Sequence, residues 1–209
     1  MRKVIPVDPN HPERRVLQEI AALIHKGGVV AIPTDTFYGL AADPFDADAV
    51  RRLFTIKGRA YSKPILLLIA DRAMLSPLIE EIPPIAEKLI DAFWPGPLTL
   101  VFQASKRLSP LLTGGSGKIG VRLPSAPLPL QLIQTVGIPI TATSANRSGD
   151  ASPASAQEVE QTLGESVDAI LDGGPCTPLP STVLDVTVTP PRIVREGRVS
   201  AAQLAAIIE

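Results

Sequence analysis

The chain has 209 residues, 45% of them hydrophobic and 20% charged, with 20 Lys and Arg against 21 Asp and Glu and a net charge of -1. That composition can bury a sizeable core, argues against disorder, and lacks the basic excess of a dedicated nucleic-acid binder. The single cysteine, Cys176, excludes an intrachain disulfide, and one Cys with only His11 and His25 cannot supply a tetrahedral zinc site made of protein ligands alone.

The N-terminal residues hold no apolar stretch of secretory length, and the longest aliphatic run, Ile65 to Ala70, is too short to cross a bilayer. A cytoplasmic protein without membrane contact is expected. Val4 to Val7 reads as a strand, and Leu17, Ile20, Leu23 and Ile24 recur at helical spacing before Gly27-Gly28, a C-cap signal. Val29 to Ile32 is a β-branched strand ended by Pro33; a loop from Pro33 to Pro44 follows, and Asp46 caps a helix carrying Val50, Leu53 and Phe54. Ile65 to Ile69 reads as a buried central strand, and Ile85, Leu89, Ile90 and Phe93 as a helical stripe stopped by Pro95-Gly96. Leu98 to Phe102 and Ile119 to Leu123 read as strands and Leu128 to Val136 as a helix. Ile138 to Thr143 reads as one strand running into polar residues. A helix with Val159 and Leu163, strands at Val167 to Leu171, Thr182 to Val186 and Ile193 to Val194, and a helix from Leu204 to Ile208 complete the order. Several strands follow one another without an intervening helix, which predicts an α/β fold with a mixed sheet flanked by helices, one domain over 1–209.

Nucleophilic machinery is poorly provided for. His11 sits in a Pro-rich loop and His25 in the last turn of a helix, where a cation offsets the helix dipole; Cys176, among Gly and Pro, reads as a small loop residue. The segment Gly115-Ser-Gly117-Lys-Ile-Gly120 fits G-x-G-x-x-G but precedes a strand, the reverse of a dinucleotide-binding turn. It also fails as a P-loop, because Ile119 follows Lys118 and Leu112 stands where the first Gly belongs.

Four polar strings remain: Pro33-Thr34-Asp35-Thr36-Phe37-Tyr38-Gly39 after a buried strand; Lys57-Gly58-Arg59 at a helix C-terminus; Thr141-Ala-Thr143-Ser144-Ala-Asn146-Arg147-Ser148-Gly149 after another strand; and Ser181-Thr182 with Arg195-Glu196-Gly197. Singly, each has an ordinary reading as a turn or as helix-end cations. Together, in order and spacing, they closely resemble the YrdC-like family, whose characterised members are threonylcarbamoyl-AMP synthases. The resemblance takes in Trp94-Pro95-Gly96-Pro97-Leu98-Thr99, Val121-Arg122-Leu123-Pro124 and Asp172-Gly173-Gly174 as well.

The resemblance implies a YrdC-like domain: a twisted mixed sheet, helices, and a basic concave pocket. It also implies an L-threonylcarbamoyladenylate synthase, a nucleotidyltransferase that turns L-threonine, bicarbonate and ATP into threonylcarbamoyl-AMP and pyrophosphate for the N6-threonylcarbamoyladenosine modification of tRNA. Lys57, Arg59, Ser144 and Asn146 are the implied catalytic and ATP-binding residues, with Ser152 and Arg195 further ATP contacts. Thr34, Arg122 and Ser181 or Thr182 are implied for threonine, Arg122 as the carboxylate partner. Such a reaction needs fixed cations and positioning rather than a nucleophile. Magnesium is expected to arrive on the ATP phosphates, with no protein metal site. The product is expected to pass to a tRNA threonylcarbamoyl transferase complex, with weak tRNA contact at most. Two departures from the family pattern are Ala60, where many relatives have Pro, and the lack of an extra C-terminal domain. The alternatives are an RNA-binding protein using the same basic concavity, or a YrdC-like paralogue with other carbamoyl-adenylate chemistry.

Overall fold

Leu17, Ile20, Ala21 and Ile24 form one buried stripe of α1 (Arg14–His25) in the computed structural model, which describes residues 3–177 and 179–208. That stripe packs with Leu132, Ile133 and Val136 of α5 (Pro127–Val136), and both helices cover one face of a sheet. The sheet runs β1 (Val4–Pro6), β9 (Ala169–Asp172), β2 (Val30–Ile32), β3 (Gly39–Ala41), β8 (Thr143–Ser144). Its first three strands are parallel and its last two pair antiparallel. All three residues of β2 are buried because the strand is covered on both faces: Val30 and Ile32 join α1 and α5, while Ala31 joins a second, larger core.

That larger core is shared with a second mixed sheet, ordered β11 (Arg192–Arg195), β10 (Thr182–Asp185), β5 (Leu98–Gln103), β6 (Lys118–Arg122), β4 (Leu67–Leu68), β7 (Ile140–Thr141). The expectation of one mixed sheet is therefore corrected to two. The switch lies in the segment read as a single strand over Ile138 to Thr143. Its first part, β7, pairs with β4, and its last part, β8, pairs with β3 of the other sheet. Thr141 bridges the sheets: its buried hydroxyl donates to the Leu40 carbonyl at 3.0 Å and accepts from the Ala42 N–H at 2.9 Å. The loop expected from Pro33 to Pro44 is likewise divided by β3, whose three residues carry no long apolar run to announce a strand. The apolar run Ile65 to Ile69 yields only two strand residues, in an interior position between β6 and β7.

The remaining helices are α2 (Ala47–Lys57), α3 (Pro84–Phe93), α4 (Pro110–Thr113), α6 (Ala156–Leu163) and α7 (Ala201–Ile208). Asp46 caps α2 as expected, accepting from the N–H groups of Asp48 and Ala49 at 2.8 and 3.2 Å. The four-residue α4 and the 3₁₀ turn Arg72–Leu75 are too short to leave a periodic signal in the sequence.

An ion pair joins α2 to the first sheet. Arg52 donates to both carboxylate oxygens of Asp168, at 2.6 and 3.0 Å, and Asp168 also accepts the Val29 N–H at 2.7 Å. Burial pulls the Asp168 carboxyl up, but the Arg52 fork and the Val29 N–H outweigh it and hold it below the usual carboxylate range. Asp168→Asn should lower stability at neutral pH by about 1 kcal/mol once solvent screening is allowed for, a melting shift of about 2–4 °C. A depressed carboxyl stabilises the fold above its unfolded pKa and loses that contribution as pH falls through the folded value. Thermal melts at stepwise lower pH should therefore show the gap between wild type and Asp168→Asn closing on acidification.

Candidate functional site

The second sheet presents alternate residues to a cavity of about 560 Å³, within the size range of small-molecule sites. On β6, Lys118, Gly120 and Arg122 line it, while Ile119 and Val121 point into the core. On β5, Thr99 and Val101 line it, with Leu98, Leu100 and Phe102 behind. The opposite wall comes from the loop before β3, from Ser144 on β8, and from Arg59 after α2. Among the described residues five cationic side chains line the cavity, Arg59, Lys118, Arg122, Arg192 and Arg195, against one carboxylate, Asp185.

The pleat separates Ser181 from Thr182. Ser181 lines the cavity, where its hydroxyl lies 3.0 Å from that of Thr99 and accepts from Arg195 Nη2 at 3.0 Å. Thr182 faces the other way: its buried hydroxyl donates to the Val199 carbonyl at 2.6 Å and accepts the Val199 N–H at 3.1 Å. Of the pair Ser181 or Thr182, the structure brings only Ser181 to the cavity. A bulge between β10 and β11 pairs Val183 with Arg195 and Leu184 with Ile193, and both Val194 and Arg195 reach the cavity wall. Arg195 also donates to the Ser181 carbonyl, at 3.2 Å from Nε and 2.9 Å from Nη2. Partial burial, and then the charge of Arg122, lower its pKa. Gly197 lets the next stretch pass against this backbone, since a Cβ there would lie 2.3 Å from the Pro180 carbonyl oxygen.

Lys57 and Arg59 diverge. Gly58 takes a φ of 55°, and the N–H groups of Gly58 and Arg59 bond back to the carbonyls of Thr55 and Phe54. The glycine thus serves to reverse the chain at the end of α2, where its positive φ rather than any crowding favours a residue without Cβ. Arg59 reaches the cavity, its guanidinium donating to the Pro64 carbonyl at 2.9 Å. Lys57 does not line the cavity. It is 1% exposed, and its ammonium donates to the Ser144 carbonyl, to the Asn146 carbonyl at 2.8 Å and to Asn146 Oδ1 at 2.9 Å. Burial, and next the charge of Arg59, push its pKa down to about 7. Asn146 is also buried: its Oδ1 accepts from the Ser144 hydroxyl at 2.6 Å and its Nδ2 donates to the Asp150 carbonyl at 2.7 Å. Of the four residues expected to act together, Arg59 and Ser144 line the cavity, and Lys57 and Asn146 sit behind Ser144 and hold its loop. Ser152, further along that loop, lines the cavity as well.

Thr34 lines the cavity and is buried, its hydroxyl donating to the Phe37 carbonyl at 2.8 Å. Arg122, 3% exposed, donates from Nη1 to Asp35 Oδ1, while its Nε has no hydrogen-bond partner among the described residues. Tyr38 closes the loop from behind, its hydroxyl donating to the Gly174 carbonyl at 2.8 Å; burial raises its pKa.

Sequence reasoning did not single out Lys118, Asp185 and Arg192. Lys118 donates to Asp185 at 3.0 Å, and Asp185 further accepts from the Thr187 hydroxyl at 2.6 Å and its N–H at 2.9 Å. The signal was present for Lys118, which alternates with Gly120 and Arg122 around the core residues Ile119 and Val121. His11 and His25 lie apart from the cavity: His25 bonds the Val136 carbonyl at 3.0 Å, tying the ends of α1 and α5, and His11 faces Asp8 on the surface. Burial pushes the Cys176 thiol up, so it is a poor nucleophile.

Known proteins match over most of the chain. The Sua5/YciO/YrdC family model, described as telomere recombination, matches residues 22–197. The threonylcarbamoyl-AMP synthase of Pyrococcus abyssi is 41% identical over 189 residues, 90% of this chain and 56% of the relative. That of Bacillus subtilis is 39% identical over 194 residues, 92% of this chain and again 56% of the relative. The chain thus spans little more than half the length of these two curated relatives. The crystal structure of Pyrococcus abyssi Sua5 complexed with L-threonine superposes with a TM-score of 0.95 at 39% identity, covering 98% of this chain and 60% of that one. With the family model matched over most of its length, this chain belongs to the Sua5/YciO/YrdC family.

Proposed function

We propose that this chain, as one catalytic domain over 1–209, is an L-threonylcarbamoyladenylate synthase acting in the cavity lined by the outward-facing residues of β5 and β6, the 33–38 loop, Ser144 and Arg59. The observation that carries the reading is the pairing, in one cavity, of cations and hydroxyls suited to phosphates with an arginine and hydroxyls suited to an amino acid. The identity to curated threonylcarbamoyl-AMP synthases and the fold shared with a threonine-bound relative support it.

The threonine amine adds to bicarbonate with loss of water, giving a carbamate. A carbamate oxygen then attacks the α-phosphorus of ATP, and the bond to the β-phosphate oxygen breaks to release pyrophosphate. Charge builds on phosphoryl oxygens, so preorganised donors matter most. Arg59 and Arg195 supply guanidinium donors to the phosphates, and Ser144 and Ser152 supply hydroxyls. Lys57 and Asn146 keep the Ser144 loop in place. Arg122 receives the threonine carboxylate, and Thr34 and Ser181 its remaining polar groups. A pocket built around those groups rejects amino acids that leave them unpaired. Mg²⁺ enters on the triphosphate, held by phosphate oxygens and water, and offsets their charge. Asp185, the one carboxylate among the described cavity-lining residues, is already engaged by Lys118 and Thr187, so no protein carboxylate is assigned to the ion. The adenylate passes to a tRNA threonylcarbamoyl transferase complex, and tRNA contact by this chain is weak. Action in the cytoplasm is part of this reading; among the described residues no helix is long and apolar enough to cross a membrane.

The test is to incubate the purified chain with ATP, Mg²⁺, bicarbonate and L-threonine. Threonylcarbamoyl-AMP and pyrophosphate should form, and omitting either threonine or bicarbonate should return pyrophosphate release to background. ATP turnover that ignores both omissions overturns the reading, and tight salt-resistant RNA binding without adenylate formation favours an RNA-binding protein instead.

A further inference from the structure

The 33–38 loop and β6 meet in an ion pair at the cavity. Arg122 and Asp35 have side chains 4% and 7% exposed, and Arg122 Nη1 donates to Asp35 Oδ1. Asp35 is itself anchored twice more: Ser125 Oγ donates to its Oδ2 at 3.4 Å, and Arg198 Nη1 donates to its backbone carbonyl at 2.9 Å. A guanidinium has two faces that fit a carboxylate: the end-on face, Nη1 with Nη2, and the side-on face, Nε with Nη2. Asp35 takes Nη1. Among the described residues neither Nε nor Nη2 has a partner; Nε is fully enclosed, which leaves Nη2 as the donor open to the cavity that Arg122 lines.

We propose that Asp35 is the positioning residue that fixes Arg122 so that its Nη2 is held toward the cavity to receive the carboxylate of the amino-acid substrate. The proposal rests on the reading of Arg122 given above. Asp35 does not touch substrate. By holding Nη1 it sets the direction of Nη2 and offsets part of the charge of Arg122, so the site selects a carboxylate by the placement of one donor rather than by bulk positive potential. Thr34 and Thr36, on either side of Asp35, both line the cavity, so the same loop sets the guanidinium and the amino-acid wall together. A buried guanidinium freed from its partner samples other rotamers, and misplacement by about 1 Å can cost on the order of a hundredfold.

The experiment compares wild type, Asp35→Asn, Arg122→Ala and the double variant in threonine-dependent pyrophosphate release, with melting temperatures measured alongside. Asp35→Asn should raise the KM for L-threonine about ten- to hundredfold while changing the KM for ATP and kcat much less. In the Arg122→Ala background the same substitution should change the threonine KM by less than about threefold, since it acts through the missing residue. L-threoninol, which lacks the carboxylate, supplies a readout that general loosening does not move: the preference for threonine over threoninol should collapse in Asp35→Asn and be restored by Asp35→Glu. A threonine KM or a threonine preference unchanged in Asp35→Asn, or an equal effect with Arg122 absent, overturns the proposal. Should Asp35→Asn unfold, Asp35→Glu carries the test alone: its charge keeps the pair and with it the preference for threonine over threoninol, and a preference that collapses in Asp35→Glu overturns the proposal. A wild type that releases pyrophosphate without regard to threonine overturns the synthase reading, and this inference falls with it.

Discussion

Arg59→Ala is expected to lower turnover by about one to three orders of magnitude while leaving the melting temperature within about 2 °C of wild type. Arg59 lines the cavity, and the bonds its side chain makes are to two carbonyls of its own loop, at Lys63 and Pro64. Its loss therefore leaves little of the core without partners. Burial lowers its pKa, yet a guanidinium stays charged at neutral pH, so the charge proposed to meet the phosphates is present throughout the working range. Because phosphoryl charge grows toward the transition state, the loss should fall on kcat more than on the KM for threonine. Single-turnover measurement of adenylate formation checks this. Near-normal turnover would return Arg59 to the status of a helix-end cation.

Lys57→Met should lower turnover to a similar extent and, unlike Arg59→Ala, should lower the melting temperature as well. Three oxygens of Ser144 and Asn146 accept from the ammonium, and a methionine leaves all three without that donor. Unsatisfied buried acceptors cost about 1–3 kcal/mol each, offset in part by relief from burying a charge; a net loss of about 2 kcal/mol corresponds to about 4–8 °C. The loop carrying Ser144 and Ser152 then loses its fixed position, so the KM for ATP should rise along with the fall in kcat. The pH dependence has a definite sign. With its folded pKa near 7, below the value of about 10.4 for a free lysine, the unfolded chain binds more protons between those two values. Stability of the wild type relative to Lys57→Met should therefore rise with pH across that window, and melts at pH 7 and pH 9 decide it. A Lys57→Met protein with wild-type melting and a pure kcat defect would mean that Lys57 meets the phosphates directly.

The contrast between these two cations shows what could be read along the chain and what could not. Lys57-Gly58-Arg59 was recognisable as a unit, and α2 with its Asp46 cap and terminal glycine follows from local rules: one apolar stripe, one capping carboxylate, one left-handed residue. The same holds for α1, α3 and α5, and for β5 and β6, whose apolar residues recur at the spacing of the element they form. The polar strings, in their order and spacing, carried the resemblance to the family.

Tertiary structure decided the rest, because each decision depends on residues far apart in the chain. Lys57 and Asn146, 89 positions apart, meet only when α2 packs beneath the segment after β8, and that packing sets the ammonium against oxygens of Ser144 and Asn146 rather than on the cavity lining. Arg122 and Asp35 are 87 positions apart, so no local spacing reveals their pair. The segment from Ile138 to Thr143 has the composition of one strand, yet its two ends bond to different sheets because β4 and β3 each offer it an edge. Between Ser181 and Thr182, equal as hydroxyls, the choice falls to the pleat of β10 and the position of Val199, which together leave one facing the cavity and the other facing the backbone behind it. Local sequence sets the period of each element; long-range packing sets which side of it meets the substrate.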